Sequence, residues 1–518
     1  MKSFFEALSH PGAYPHPTGR IEVVETHISW IFLTAKYAYK VKKPLDLGFL
    51  DFSTLEKRLH YCSEELRLNQ RLCPEIYLSV VPVVKAGESF IVEGEGEIVD
   101  YAVKMLRFDR TMELDRMLSS GMLDNGHIDM LASLIAGFHQ DITSVEAETG
   151  FGHPDNLIKP ILDNFTHTEP VVSNSDEACV LAFLKAWTLK EHQRLYPLFL
   201  ARKQGGFIRQ CHGDMHTGNM VWWKNRIYIF DCIEFNENLS IIDVISDLCF
   251  LFMDLEHAGY PALAWRLMNN YLKESGDYEA LPLLRFYGLY RAMVRVKVSA
   301  IRYIQTTEES EREKVLEEHC SYLRTAERYT LKENPLLVLT FGVSGSGKTR
   351  VSGDIAQTIH GLHIRSDIER KRLAGMHALD RSNKETKASL YSEEIGRQTY
   401  RRLFDVAALC IESGLRVIVD ATFLKAENRH LFIELAKQWK CPCRILHLDA
   451  PREVLMERVK KRYLMGNDAS EADSAVLASQ LEKLEALTTE EIAVSMHINT
   501  AEPVDMGRIV GFLLSAEC

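Results

Sequence analysis

A glycine-rich segment that follows a short apolar run constrains the fold of this chain more than any other feature. Residues 342–349 read Gly-Val-Ser-Gly-Ser-Gly-Lys-Thr and match the pattern G-x-x-x-x-G-K-[ST]. The preceding run, Leu336–Phe341, has the length and apolar character of a buried strand. A glycine loop between a strand and a helix turns successive backbone N–H groups toward phosphate. The segment therefore predicts a nucleotide-binding loop in an α/β domain.

The residue types of this loop have separate predicted roles. Its glycines permit backbone conformations that other residues avoid, Lys348 supplies charge to the β- and γ-phosphates, and the Thr349 hydroxyl can ligate Mg²⁺. The predicted nucleotide-binding residues are Gly342, Val343, Ser344, Gly345, Ser346, Gly347, Lys348 and Thr349. A flexible glycine turn is the alternative, and the flanking strand and helix patterns count against it.

Charged residues after the loop distinguish a kinase from a nucleotide-driven switch. Asp367, at a predicted strand end, could take the proton from an acceptor hydroxyl, and Arg370 follows one helical turn later. The alternative is that Asp367 only caps a helix. Asp420 ends the apolar run at 417–419, where we expect a residue that holds the Mg²⁺ water shell or contacts the acceptor.

A cationic helical segment follows these acidic residues. Arg458 and Arg462 lie in the run Glu457-Arg458-Val459-Lys460-Lys461-Arg462. We predict that they belong to a lid that covers ATP and neutralises charge during transfer. A solvated charged helix is the alternative.

These residues together make positions 336–514 resemble the small P-loop kinases. That group includes gluconate and shikimate kinases, zeta toxins and the kinase domain of polynucleotide kinases. In it, a pair such as Asp367 and Arg370 accompanies the acceptor site, and the Asp-Ala-Thr segment at 420–422 and the lid arginines have counterparts. The resemblance implies phosphoryl transfer to a hydroxyl and leaves the acceptor open, because relatives use sugars, nucleotide sugars and polynucleotide ends.

A second, unrelated phosphate-handling pattern lies at residues 212–231. Asp214 and Asn219 stand five residues apart, and Asp231 follows a predicted strand at 227–230. This layout predicts that Asp214 orients and deprotonates an acceptor hydroxyl while Asn219 and Asp231 bind Mg²⁺. We expect His212 and His216 to brace the loop by hydrogen bonds rather than to perform chemistry.

This pattern resembles the aminoglycoside phosphotransferase and choline kinase group, which has the protein-kinase fold, over about residues 20–328. The resemblance implies a strand lysine that contacts the α- and β-phosphates, for which Lys40 and Lys42 are both candidates, and Glu65 as its ion-pair partner. Exposed surface charge is the alternative for each. The chain departs from the group because no glycine lies between Glu25 and Tyr37, where a phosphate-covering hairpin is expected.

The predicted architecture combines α/β and α+β domains. A chain of 518 residues exceeds what one core usually organises. We predict a two-lobed protein-kinase-like domain at 1–330, with a small lobe at about 20–106 and a helical lobe at about 107–330. A P-loop NTPase domain with a parallel sheet follows at 336–518.

Charge and apolar patterning suggest a cytoplasmic protein. The formal net charge of −11 comes from the first 335 residues, and neither half has a broad basic surface for nucleic acid. Acidic residues interrupt the most apolar stretch, 241–255, which argues against a membrane partner. No export signal is visible, and the scattered cysteines favour reduced thiols over a disulfide framework or a zinc site.

The tandem order resembles bacterial bifunctional proteins that join an aminoglycoside phosphotransferase-like domain to a P-loop kinase domain. It predicts an ATP- and Mg²⁺-dependent phosphotransferase with two sites that act on hydroxyls of small molecules. A polynucleotide end is a less favoured acceptor, and the oligomeric state is open. In one alternative only the P-loop domain is a kinase and the first domain is a regulatory or ligand-binding module. In another the second domain is a switch ATPase.

Overall fold

The computed structural model describes residues 2–46, 48, 50–87, 89–172, 175–332, 334–383, 390–466 and 468–515. Two compact units divide the chain. Unit 1 comprises Met1–Asp254 and Tyr290–Leu323, and unit 2 comprises Leu255–Leu289 and Arg324–Cys518. Residues 255–289 thus group with the C-terminal part of the chain. The predicted domain limits of 1–330 and 336–518 remain a prediction.

Residues 2–328 contain both strands and helices. The strands are β1 (Glu22–Glu25), β2 (Ser29–Leu33), β3 (Tyr37–Lys42), β4 (Tyr77–Ala86), β5 (Ser89–Val92), β6 (Glu97–Leu106), β7 (Ile208–Gln210), β8 (Met220–Trp223), β9 (Arg226–Ile229) and β10 (Ile241–Asp243). The helices are α1 (Lys2–Leu8), α2 (Leu55–Asn69), α3 (Leu114–Ser119), α4 (Asn125–Asp141), α5 (Pro154–Thr168), α6 (Ser175–Gln204), α7 (Glu237–Ser240), α8 (Val244–His257), α9 (Pro261–Ser275), α10 (Leu284–Gln305) and α11 (Glu309–Arg328). Short 3-10 helices lie at Pro11–Ala13, Arg110–Met112, Glu169–Val171, Thr217–Asn219 and Tyr278–Leu283.

Unit 1 begins with an antiparallel sheet in the order β1-β2-β3-β6-β4-β5. Its strands carry alternating or continuous apolar residues, and one buried cluster includes Phe32, Tyr39 and Val41. Helix α2 begins at the N-cap Thr54, whose side chain accepts the N–H of Lys57, and packs on β6 and β4. The sequence patterns at 30–33 and 37–41 are typical of strands and the pattern near 55–72 is typical of a helix, and the structure has β2, β3 and α2 there.

The apolar spacing of residues 113–140 is typical of helix, and the structure forms two helices there, α3 and α4. Gly121 has a φ of +73° just after α3, a left-handed conformation that commonly ends helices. Asp124 then caps α4, because its side chain accepts the N–H of His127 while the His127 side chain accepts the N–H of Asp124. Local glycine and capping chemistry therefore overrides the apolar periodicity that runs through both segments.

Unit 2 contains a parallel sheet, as the sequence predicts, and the structure gives it five strands. Its strands are β11 (Leu336–Phe341), β12 (Gly361–Arg365), β13 (Arg416–Asp420), β14 (Cys443–Asp449) and β15 (Ser495–Asn499), in the order β12-β13-β11-β14-β15. The helices after residue 330 are α12 (Lys348–Thr358), α13 (Ser366–Leu373), α14 (Glu393–Glu412), α15 (Ala426–Gln438), α16 (Arg452–Met465), α17 (Ser474–Glu482), α18 (Thr489–Ala493) and α19 (Met506–Leu514). The core on one face joins strand residues such as Val338 and Ile418 to Val351 and Ile355 of α12.

Residues 255–289 cover one edge of this sheet. The Asn269 side chain on α9 donates to the carbonyl of Gly361 at 3.0 Å and accepts the N–H of His363 at 2.8 Å. The Gly361 carbonyl and the His363 N–H belong to β12, the edge strand of the sheet. The Asn269 side chain thus makes two hydrogen bonds to this strand that a neighbouring strand would otherwise make. Arg372 on α13 donates to the carbonyl of Lys273 at 2.7 Å, which ties the same segment to a helix that carries candidate site residues.

Within the described residues, the helices are each too short or too polar to span a lipid bilayer.

Candidate functional sites

The glycine loop of unit 2 leaves the carboxyl end of β11, the central strand of the sheet. Gly342 has a φ of +147°, and a Cβ there would lie 2.2 Å from the carbonyl oxygen of Leu448. Gly345 has a φ of +86°, in the left-handed region. A side chain at Gly342 would force the loop away from β14, so the loop shape depends on glycine.

Lys348 is the first residue of α12 and lies under the loop. Its Nζ donates to the carbonyl oxygen of Val343 at 2.7 Å, and its side chain is buried. Burial lowers the pKa of Lys348 to about 8, although the nearby carboxylates of Asp420 and Asp367 favour the charged form. The amine is thus held in place by the loop backbone.

Thr349 and Asp420, the predicted magnesium ligands of unit 2, contact each other. The Thr349 hydroxyl donates to Asp420 Oδ2 at 2.7 Å, and His363 Nε2 lies 3.1 Å from the same oxygen. Burial opposes the charge of Asp420, but the hydrogen bond from His363 and the charges of His363, Arg365 and Lys348 outweigh it and lower the pKa of Asp420 to about 2. The carboxylate is therefore ionised at neutral pH.

A cavity of about 450 Å³ gathers most of the predicted residues of unit 2. Its lining consists of Ser344, Gly345, Gly347, Lys348, Thr349, Arg350, Ser366, Asp367, Arg370, Tyr391, Tyr400, Asp420, Thr422, Arg458, Arg462, Asp468, Ser470, Ala472 and Gln480. Gly342, Val343 and Ser346 belong to the loop but do not line the cavity. The loop, the strand-end acid and the cationic helix α16 thus meet around one space.

Asp367, on the first turn of α13, forms an ion pair with Arg370, three residues later on the same helix. Their Oδ1 and Nη1 atoms lie 3.0 Å apart, and the Arg370 guanidinium stacks on Tyr391 at 5.2 Å. The N-cap of α13 is Arg365, not Asp367. The alternative in which Asp367 merely caps a helix therefore does not describe this structure, and its carboxylate faces the cavity.

The two arginines of α16 differ in their contacts. Arg458 donates to the carbonyl of Gly345 at 3.3 Å and to the Thr500 hydroxyl at 2.8 Å, which fixes it against the loop. Arg462 lines the cavity, and its buried Nε and Nη2 atoms have no hydrogen-bond partner among the described residues. An unpartnered guanidinium beside a glycine loop fits a polyphosphate ligand.

In unit 1, the segment at 212–219 forms a loop between β7 and β8. The Asn219 Nδ2 donates to Asp214 Oδ2 at 3.0 Å. Burial opposes the charge of Asp214, but His216, Arg295 and His212 outweigh it and hold the pKa of this carboxyl below its usual range. Asp214 is therefore ionised at neutral pH and lies beside the predicted magnesium ligand Asn219.

Buried hydrogen bonds brace this loop, as the sequence predicts for His212, and Asp247 also takes part in them. Asp247 on α8 accepts the N–H groups of His212 and Gly213, each at 2.9 Å. His212 Nε2 lies 2.9 Å from the carbonyl oxygen of Phe230, the residue before Asp231. These contacts tie the Asp214 loop to the start of the Asp231 segment.

The strand lysines and Glu65 form a buried charge cluster, and this cluster contacts the half-exposed Asp231. Lys40 Nζ lies 2.8 Å from Glu65 Oε1 and 2.5 Å from Asp231 Oδ1, and Lys42 Nζ lies 2.7 Å from Glu65 Oε2. The residues Lys40, Lys42 and Glu65 are 7%, 0% and 0% exposed, so none is a surface charge. Asp231 has a φ of +66°, an uncommon conformation for a residue other than glycine.

Contacts of the two lysines separate their roles. Lys42 forms ion pairs with Glu65 and with Glu234, a buried residue that the sequence analysis missed. Lys40 is the lysine that reaches the half-exposed Asp231. Lys40 thus contacts Glu65 and Asp231, whereas Lys42 lies between Glu65 and Glu234 and positions the Glu65 side chain. Glu234 carries no sequence signal beyond its place three residues after Asp231.

We expect Lys42→Met to loosen the small lobe of unit 1. The change leaves Glu234 buried without its cation, and removal of one partner of a buried ion pair typically costs about 3–5 kcal/mol. Hydrogen exchange measured by mass spectrometry should show lower protection of β3 and α2. Lys43→Met is the matched control, because Lys43 pairs with the exposed Glu25 and such pairs contribute less than about 1 kcal/mol. Equal protection in both variants would contradict the positioning role.

A comparison with protein families supports the assignment of the glycine loop of unit 2 to a P-loop domain. Residues 337–487 match a family model described as AAA domain. This match covers the glycine loop, Asp367, Asp420 and both arginines of α16. The segment forms a P-loop domain. A curated relative that spans both units, the uncharacterized protein Rv2004c of Mycobacterium tuberculosis (strain ATCC 25618 / H37Rv), is 27% identical over 464 residues, which are 89% of this chain and 90% of the relative.

Solved structures that resemble parts of the chain include kinases. A gluconokinase from Sinorhizobium meliloti 1021 covers 35% of this chain and 91% of its own, with 23% identity and a TM-score of 0.25. A choline/ethanolamine kinase family protein from Mesorhizobium loti covers 63% of this chain and 99% of its own, with 12% identity and a TM-score of 0.37. Because these scores are low, we base the function of the P-loop domain and of unit 1 on their own residues.

Proposed function

We propose that the chain is an ATP- and Mg²⁺-dependent phosphotransferase with two sites, one in each unit, that act on hydroxyl groups of small molecules. The observation that carries this proposal is the P-loop cavity, where a possible proton acceptor, Asp367, lies in the same space as Lys348, Thr349 and Asp420. A switch ATPase requires no such acid. An acid opposite the phosphate loop suits transfer to an acceptor.

In the P-loop domain, the loop amides and Lys348 would bind the phosphates of ATP, and Thr349 and Asp420 would hold Mg²⁺. When bound, the ion neutralises charge on the β- and γ-phosphates. Asp367 would accept the proton of the acceptor hydroxyl. The hydroxyl oxygen forms a bond to the γ-phosphorus of ATP, and the bond between the γ-phosphorus and the oxygen that leaves with ADP breaks. Arg462 would stabilise the transferring group, because its buried Nε and Nη2 atoms have no hydrogen-bond partner among the described residues.

An adjacent cavity suits the nucleoside part of ATP. This cavity of about 480 Å³ lies beside Arg350, Thr500, Pro503 and Met506. Arg458 lines both cavities and also contacts the glycine loop through Gly345. We infer that the base lies in this second cavity and that Arg458 joins the base and phosphate subsites.

In unit 1, we propose that Lys40 contacts the phosphates, that Asn219 and Asp231 hold Mg²⁺, and that Asp214 takes the acceptor proton. The proposal is supported by the contact between Asp214 and Asn219 and by the ion pair between Lys40 and Asp231. The low pKa of Asp214 keeps it in the form that can accept a hydrogen bond from a hydroxyl.

We expect the P-loop domain to take up a proton when it binds nucleotide near pH 8. Burial lowers the pKa of Lys348 to about 8 in the free protein, and bound phosphates favour its charged form. About half a proton should therefore be taken up at that pH, and affinity should fall as the pH rises further. Calorimetry in buffers of different ionisation enthalpy measures this uptake. Lys348→Arg should abolish the uptake, since arginine stays charged; negligible uptake by the unchanged protein would contradict the expectation.

The proposed function is tested with γ-labelled ATP, Mg²⁺ and a small-molecule extract of the producing cell. The full chain is compared with Asp214→Asn and Lys348→Ala, and labelled products are identified by mass spectrometry. Two products, each lost in a different variant, would support two kinase sites and identify both acceptors. No transfer to any molecule would overturn the proposal.

A second candidate function makes only the P-loop domain catalytic and unit 1 a regulatory or ligand-binding module. The observation that favours it is the turn between β1 and β2, Thr26-His27-Ile28, which contains no glycine for close backbone approach to phosphate. In the labelling experiment this alternative predicts a single product that Lys348→Ala removes and Asp214→Asn does not.

A further inference from the structure

We propose that unit 2 carries a surface site for a divalent transition-metal ion of the Zn²⁺ type, formed by His447, Asp449 and His497. This site is separate from the nucleotide cavity and uses none of its lining residues. Its possible ligand atoms, one from each side chain, all lie within 4.8 Å of one another.

The sheet places these three side chains together. His447 and Asp449 are two residues apart on β14 and therefore share one face of the sheet. His497 on β15 is the register partner of His447, and their rings lie 4.8 Å apart. His447 lies on a strand that is hydrogen-bonded to β11 on one side and to β15 on the other, and His497 lies on the edge strand β15. A site on strands is better positioned than one on a mobile loop.

The chemistry of the set suits a borderline-soft ion rather than Mg²⁺. Two imidazoles and one carboxylate are ligands that Zn²⁺ accepts, and a water would complete a tetrahedral set. The described residues supply no hydrogen bond to either imidazole, whereas Asp449 uses Oδ1 to accept the N–H of Ala450 at 2.8 Å and retains Oδ2. Zn²⁺–ligand bonds of about 2.0–2.2 Å place two ligand atoms roughly 3–4 Å apart. Small side-chain rotations would bring the three side chains from their present separations to that distance.

His447 is the anchor of the site. It is half-buried, and its ring packs on Phe341 at 4.8 Å, which restricts its rotation. Asp449 and His497 are exposed and can adjust toward the ion. The other reading of the cluster is a polar, solvated strand face with no ligand, and the binding experiment decides between the two.

The test uses the full chain, treated with a chelator and free of nucleotide and Mg²⁺, titrated with Zn²⁺ and separately with Co²⁺. We expect one ion per chain with a Co²⁺ absorption spectrum that lacks the charge-transfer band of a thiolate ligand. His497→Ala and His447→Ala should each weaken binding by at least about 100-fold, because loss of a residue that only supports a ligand already costs about 10–100-fold. Asp449→Asn, which can still accept the Ala450 N–H, should weaken binding to a smaller extent.

Two further variants check the location of the ion. His430→Ala removes an exposed histidine of α15 outside the cluster and should bind the ion like the unchanged chain, whereas Asp420→Asn tests whether the ion is held by the nucleotide-site carboxylate instead. Circular dichroism checks that the exposed His497→Ala change leaves the fold intact. The proposal is overturned if the unchanged chain binds no ion at micromolar concentrations, if His497→Ala binds equally well, or if Asp420→Asn abolishes binding. The labelling experiment with ATP is independent of this outcome.

Discussion

Replacement of Asp214 by asparagine is expected to lower formation of the unit 1 product by about 10²–10⁴-fold, the usual contribution of general acid–base catalysis. An amide has nearly the shape of the carboxylate but cannot take a proton from the acceptor. Its oxygen can still accept the hydrogen bond that Asn219 now donates to Asp214 Oδ2, so the loop should keep its structure. The rate is measured as labelled acceptor formed per chain at saturating ATP.

The loss should be specific to unit 1. Asp141→Asn is the matched control, because Asp141 is an exposed residue at the end of α4 and should leave both products unchanged. The P-loop product should also persist in Asp214→Asn. If Asp214→Asn makes both products at the rate of the unchanged chain, the catalytic role of Asp214 is wrong and unit 1 is better described as a ligand-binding module.

Replacement of Asp367 by asparagine is expected to lower formation of the P-loop product by a similar factor, about 10²–10⁴-fold. Asp367 lies on the first turn of α13 and faces the cavity with Arg370 as its partner. The variant loses the proton acceptor while Lys348, Thr349 and Asp420 remain. Nucleotide affinity, measured by calorimetry, should therefore change by much less than the rate.

A separation of binding from turnover distinguishes this role from a structural one. Asp405→Asn is the control, because Asp405 is an exposed residue of α14 that pairs with Arg401 on the surface. A variant Asp367→Asn that retains the full rate would refute the proposed proton acceptor. A variant that loses nucleotide affinity and rate together would indicate that Asp367 supports the loop instead.

These two substitutions also decide how many enzymes the chain contains. If each removes a different product, both units transfer phosphate. If only Asp367→Asn has an effect, unit 1 is a ligand-binding module rather than a kinase. The short β1–β2 turn without glycine would agree with that result, because it offers no close backbone approach to phosphate. The contacts of Lys40, Glu65 and Asp231 would in that case hold a ligand rather than a reacting nucleotide.

Features that depend on neighbours along the chain could be predicted from the sequence. The glycine loop, the strand β11 before it and the helix α12 after it form one local unit, and apolar runs with β-branched residues predicted the parallel sheet. The five-residue spacing of Asp214 and Asn219 lies within one loop, and their roles stay a prediction. Apolar periodicity alone did not locate the break near Gly121, where backbone conformation and the Asp124 cap separate α3 from α4.

Features that depend on distant residues were decided only by the tertiary structure. Periodicity places Lys40 and Lys42 on the same face of β3, and only the position of Asp231 and Glu234 separates their contacts. His363 reaches Asp420 because parallel strands β12 and β13 are adjacent. The sequence by itself determined the loop, the local elements and the types of charged group, since these follow from short-range sterics and hydrogen bonding. Which charges meet was decided by strand order and packing, because these contacts join residues far apart in the chain.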